Sequence, residues 1–142
     1  MAISARNVFK GKVTDLKVGP INAEVEISTV GGDRIVATLT EASVKSLGLV
    51  PGAEAVAVIK APFVTLLSGA VQYRFGARNQ LQGSVSGFVK GEVNCQVNVA
   101  LLGGATVSAV ITNEAVADLG LVLGTPVTAL FKASHVLVGV PV

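Results

Sequence analysis

A shift of 72 residues lays the second half of this 142-residue chain on the first without a gap. Ala5-Arg6-Asn7 falls on Ala77-Arg78-Asn79, and Gly31-Gly32 falls on Gly103-Gly104. Leu47-Gly48-Leu49-Val50 matches Leu119-Gly120-Leu121-Val122, and Lys60-Ala61 matches Lys132-Ala133. About a third of the positions are identical when residues 4–66 are set against 76–138. A repeat of this kind means that one supersecondary unit occurs twice. It predicts a first module over residues 1–68, a linker over 69–75 and a second module over 76–142.

Each module reads as mostly β with one short helix. Ile21, Ala23, Val25 and Ile27 alternate with Asn22, Glu24 and Glu26, the period-2 signature of a half-buried strand. A Gly31-Gly32-Asp33 turn then leads to Ile35, Ala37 and Leu39. Thr40 is the expected N-cap of a helix whose buried pair is Val44 and Leu47 and whose left-handed stop is Gly48. In the second copy these roles fall to Thr112, Val116, Leu119 and Gly120. Strands over residues 55–60 and 63–67 complete the first module. Three strands, a helix and two more strands is the order of an OB-type barrel, so the fold class is all-β with two OB-like five-stranded barrels in tandem.

Composition then narrows the function. Apolar residues make up 51% of the chain and charged residues only 14%, against about 25% charged in an average domain. So few charges cannot cover two small barrels, which points to association between copies. No run approaches the roughly 20 apolar residues of a spanning helix, and the N-terminus carries no apolar signal region. Cys95 is the single cysteine, which excludes an intrachain disulfide. A soluble cytoplasmic protein with no membrane partner is expected.

Catalysis is poorly supported. His135, the only histidine, falls on Phe63 in the first copy, as expected of a packing position. Cys95 falls on Ala23 and reads as a small buried residue. No nucleophile-elbow, zinc-protease or phosphate-loop motif occurs. Neither an enzyme nor a site for a bare metal cation is expected. Nucleic-acid binding is disfavoured too, because five Phe, one Tyr and a net charge of +2 give no aromatic platform within a basic stripe.

Two basic positions survive comparison of the copies, Arg6/Arg78 and Lys60/Lys132. They stand beside small residues that let backbone N–H groups approach an anion. An oxyanion pocket and a set of structural ion pairs are both compatible with these residues. A ligand-free oligomeric β-module and an OB-type single-strand binder remain the alternatives.

The segments Ser4-Ala5-Arg6-Asn7-Val8-Phe9-Lys10-Gly11 and Gly76-Ala77-Arg78-Asn79-Gln80-Leu81-Gln82-Gly83 resemble the SARNQLKG opening of Mop domains, the molybdate-binding modules of the molbindins. Val58-Ile59-Lys60-Ala61 and Leu130-Phe131-Lys132-Ala133 resemble that family's AVIKA/S segment, and residues 19–25 resemble its G-x-x-x-A-E-V stretch. The resemblance covers nearly the whole chain twice. It implies molybdate or tungstate as a bound oxyanion, no catalytic cofactor, and a homotrimer of six modules. It assigns interface sites to Ser4, Ala5, Arg6, Lys60 and Ala61, and to Gly76, Ala77, Arg78, Lys132 and Ala133. Threefold-axis sites would use Gly19, Pro20, Ile21 and Asn22, with Gly91, Glu92, Val93 and Asn94. Gly76 replaces the motif serine, and Ala61 and Ala133 stand where many members carry serine, so weaker second-copy pockets are expected.

Overall fold

Alternation and capping place the elements of the computed structural model, which describes all 142 residues. The first repeat folds as β1 (Asn7–Val18), β2 (Asn22–Thr29), β3 (Arg34–Thr40), α1 (Glu41–Leu47), β4 (Glu54–Ile59), a 3-10 turn at Ala61–Phe63 and β5 (Thr65–Leu67). The second gives β6 (Asn79–Lys90), β7 (Asn94–Leu101), β8 (Thr106–Thr112), α2 (Asn113–Asp118), β9 (Pro126–Phe131), a 3-10 turn at Ala133–His135 and β10 (Leu137–Gly139). In β2 the expected alternation is met by Ala23, Val25 and Ile27, all buried, whereas Ile21 falls in the loop before the strand and is exposed. Cys95 is buried at the matching position of β7.

Thr40 caps α1 by accepting from the Ser43 N–H at 3.1 Å, and Gly48 takes the left-handed conformation at φ 63° that a side chain disfavours. Thr112 caps α2 in the same way, accepting from the Ala115 N–H at 3.0 Å. Val44 is buried, but its expected partner Leu47 is only half-buried, as are Val116 and Leu119 of α2, so one of the four expected helix contacts is fully buried.

The fifth strand differs from the sequence reading. Residues 61–63 form a 3-10 turn, leaving only Thr65–Leu67 as strand. That strand pairs with β9 of the other repeat, and β10 pairs with β4. The two antiparallel sheets therefore run β10-β4-β1-β2-β3 and β5-β9-β6-β7-β8, each completed by the last strand of the other repeat. Local alternation fixes which side of a strand is buried, and says nothing about which sheet it joins. The 3-10 turns carry the chain across, each packing on the outer strand of the other sheet, β8 or β3, with Ala61 and Ala133 buried there. At the crossing, the rings of Phe63 and His135 stack with centroids 4.5 Å apart. One cluster of 26 buried residues spans both repeats.

The outer strands β3 and β8 carry unpaired backbone groups, an exposed edge that invites association. Asn7 and Asn79 cover part of it reciprocally. Asn7 is 1% exposed and bonds the backbone of Ser108, while Asn79 bonds the backbone of Val36. The hairpin turns also abut. The Asp33 carboxylate accepts from the Gly103 N–H at 2.8 Å and the Ala105 N–H at 3.1 Å. A Cβ on Gly31 would collide with the Gly103 carbonyl oxygen.

Candidate oxyanion site

The antiparallel register that pairs Asn7 with Ile59 puts Arg6 and Lys60 side by side, one step past the last bridge between β1 and β4. The register that pairs Asn79 with Phe131 does the same for Arg78 and Lys132. Each Asn, locked into the opposite sheet, anchors the start of its strand and hence the Arg before it. Ser4, Arg6 and Lys60 are exposed, Ala5 is half-buried and Ala61 is buried. Gly76, Arg78 and Lys132 are likewise exposed, with Ala77 half-buried and Ala133 buried. The methyl groups of Ala61 and Ala133 face packing, so only their backbone can serve an anion.

Gly76, Ala77 and Lys132 line one cleft of about 400 Å³, walled by Phe63, Phe75 and His135. Nothing lies within 4 Å of a Cβ built on Gly76, so the glycine is not required by crowding.

The two copies differ in charge. Arg78 Nε donates to Glu24 Oε2 at 3.1 Å, and Arg78 Nη2 donates to Oε1 of the same carboxylate. This hydrogen bond holds the Glu24 carboxyl below its ordinary value of 4.5 and raises the Arg78 guanidinium. The shift of 72 carries this pair onto Arg6 and Gln96. Gln96 is neutral and donates to Asn98 Oδ1 at 3.1 Å, and Arg6 has no carboxylate partner. The first-copy cation pair is thus a set of donors alone, whereas the second contains an acceptor.

Loops 19–22 and 91–94 lie at the far ends of β1 and β6 from the Arg–Lys pair of their own repeat, but the Arg78–Glu24 contact sets Arg78 two residues along β2 from Asn22 of the first-copy loop. The Gly19 N–H donates to the Asn22 carbonyl at 2.9 Å and the Gly91 N–H to the Asn94 carbonyl at 2.8 Å. Pro20, Ile21, Glu92 and Val93 are exposed at the tips, and Ile21 retains 76% of its surface. Asn113 donates to the Gly91 carbonyl at 2.9 Å, while its buried Oδ1 has no partner.

Sequence reasoning missed Asn7, Asn79, Asp33 and Glu24. The first two were visible as polar residues on the apolar parity of β1 and β6, sharing a face with Phe9 and Val13 or Leu81 and Val85. Asp33 and Glu24 lack acidic counterparts in the second copy, so comparing the copies hid them. No three His, Cys, Asp or Glu side chains gather to hold a metal cation, and no helix is long and apolar enough to cross a membrane. What the Arg–Lys ends offer chemically is hydrogen-bond donation to an anion.

The chain has relatives among known proteins. The TOBE domain model matches residues 3–66 and again 76–138. The molybdenum-pterin-binding protein MopA of Rhodobacter capsulatus is 42% identical over 99% of this chain, which covers 53% of MopA. The molybdenum transport protein ModE of Herbaspirillum seropedicae is 39% identical, with 52% of its length covered. The chain thus spans about half the length of these relatives. Among solved structures, the cytoplasmic molybdate-binding protein ModG with molybdate bound superposes with a TM-score of 0.93 at 50% identity, covering 99% of this chain and 100% of that one.

Proposed function

The chain belongs to the TOBE-domain family, and from that premise we propose that it binds molybdate in pockets between modules, as a cytoplasmic store and buffer of the anion rather than as a catalyst. The observation that carries this reading is the strand register that sets Arg6 beside Lys60 and Arg78 beside Lys132. Molybdate is a tetrahedral dianion with four acceptor oxygens and no proton near neutral pH. Arg, Lys, the Ser4 hydroxyl and backbone N–H groups supply donors, and a charge-assisted bond is worth about 1.5–3 kcal/mol net.

Selectivity follows from the same donors. Phosphate carries a proton near neutral pH and would press a donor against a donor. Sulfate is smaller and would leave bonds stretched in a rigid pocket, while tungstate, nearly isosteric with molybdate, binds the same sites.

The exposed cations of one chain reach only part of such a tetrahedron, so neighbouring copies complete the pockets. The reading therefore includes a homotrimer of six modules, with further sites where loops 19–22 and 91–94 meet the threefold axis. Exposed Ile21, Val93, Val122 and Leu123 supply apolar surface for that assembly. Equilibrium dialysis against molybdate, combined with light scattering, tests the proposal. A three-chain particle retaining several anions supports it. A monomer that retains none overturns it.

A further inference from the structure

Arg78 is the one cation of the four that a carboxylate already occupies. Glu24 reaches it from β2 of the other repeat and engages two guanidinium nitrogens, the geometry an oxyanion itself would use. We infer that Glu24 is an intramolecular competitor for the oxyanion at Arg78, released when the anion binds, so that second-copy sites are held weaker than first-copy sites. The inference rests on the oxyanion reading above and deepens it.

Three observations make the exchange physically easy. Both side chains are reachable from solvent, Arg78 at 56% and Glu24 at 32% exposure, and such a surface pair is cheap to separate. Asn79 stays fixed to Val36 at 2.8 Å, so releasing Arg78 moves a side chain and not the strand. Glu24 also has somewhere to go. Lys17 stands directly opposite it in the β1–β2 register, so the freed carboxylate keeps a cation in reach.

The other repeat serves as an internal control. Gln96 replaces Glu24, Val89 replaces Lys17 in the matching register pair, and Arg6 carries no carboxylate. Glu24 is the one carboxylate that separates the two cation pairs, alongside the Ser4–Gly76 and Lys17–Val89 differences between the copies. A carboxylate about 6 Å from a bound dianion in a water-like dielectric disfavours it by about tenfold.

Isothermal titration with molybdate at neutral pH tests this on the whole chain, comparing wild type with Glu24→Gln and Gln96→Glu. The expected result is that Glu24→Gln tightens the weaker class by about tenfold and leaves the tighter class unchanged. Gln96→Glu is expected to weaken the tighter class by a similar factor. If Glu24→Gln leaves the weaker class where it was, or weakens it further, Glu24 does not compete and the inference fails while the oxyanion reading stands. If wild type and both variants bind no molybdate, the oxyanion reading fails and the competition with it.

Discussion

The carboxamide of Asn7 pairs with the backbone of Ser108 as a neighbouring strand would, donating to its carbonyl at 2.8 Å and accepting from its N–H at 2.7 Å. Asn79 repeats the arrangement on Val36, the residue 72 positions before Ser108. Each repeat thereby covers the open sheet edge of the other and fixes the residue that precedes its own Asn. Fold and candidate site meet at this residue.

Asn7→Ala should therefore cost stability and affinity together. It leaves the Ser108 N–H and carbonyl without partners in a buried place, at about 1–3 kcal/mol for each. Denaturant unfolding should show a loss of about 2–6 kcal/mol, and molybdate binding should weaken at the first-copy site. Unchanged stability would mean that water replaces both bonds.

Asp33 predicts an asymmetric effect. Its carboxylate accepts two backbone N–H bonds from the opposite hairpin, yet its counterpart is Ala105. Asp33→Ala should destabilise by about 1–3 kcal/mol. Gly31→Ala should destabilise as well, because the added methyl strikes the Gly103 carbonyl. Thermal unfolding of both variants checks this, and neutrality of Gly31→Ala would show that the hairpins separate freely.

Much of this arrangement was legible in the residues. The repeat announced two copies of one unit, the alternation located the strands, and Thr40 and Gly48 marked the ends of α1. The recurrence of Arg6 and Lys60 in both copies was legible, but their meeting at one end of the β1–β4 pair was not, because alternation does not decide which strands pair. The exchange of β5 and β10 was not legible, because Thr65–Leu67 and Leu137–Gly139 carry no local signal for one sheet over another. Glu24 falls on Gln96, and a contact between unlike copies leaves no trace in the match of the two repeats.

Ser4 and Gly76 predict inequivalent sites. A lost hydroxyl bond to a charged ligand costs about 1.5–3 kcal/mol, or about one to two factors of ten in affinity. Ser4→Gly should weaken the tighter class by that amount, and Arg6→Ala should weaken it more by removing charge and a fork of donors. Gly76→Ser should tighten the weaker class, since the space beside Gly76 is open. An isotherm indifferent to Ser4→Gly would remove Ser4 from the ligand set.

The Glu24–Arg78 pair predicts a small pH dependence. The carboxyl lies below its ordinary 4.5 in the folded chain, so its contribution is fully present above that value and is lost as pH falls through the lowered one. Any stability difference between wild type and Glu24→Gln should be constant at neutral pH and vanish in acid. Because the pair is exposed, added salt should shrink it too. A difference that grows as pH falls would contradict the assignment.

The most direct test of the central claim is an anomalous difference map at the molybdenum absorption edge, from crystals of the chain grown with molybdate. The account predicts peaks within hydrogen-bonding distance of Arg6 and Lys60, completed by donors of a neighbouring module, and peaks at Arg78 and Lys132 with Glu24 turned away. Molybdenum bound elsewhere, with these four cations free of it, would contradict the account.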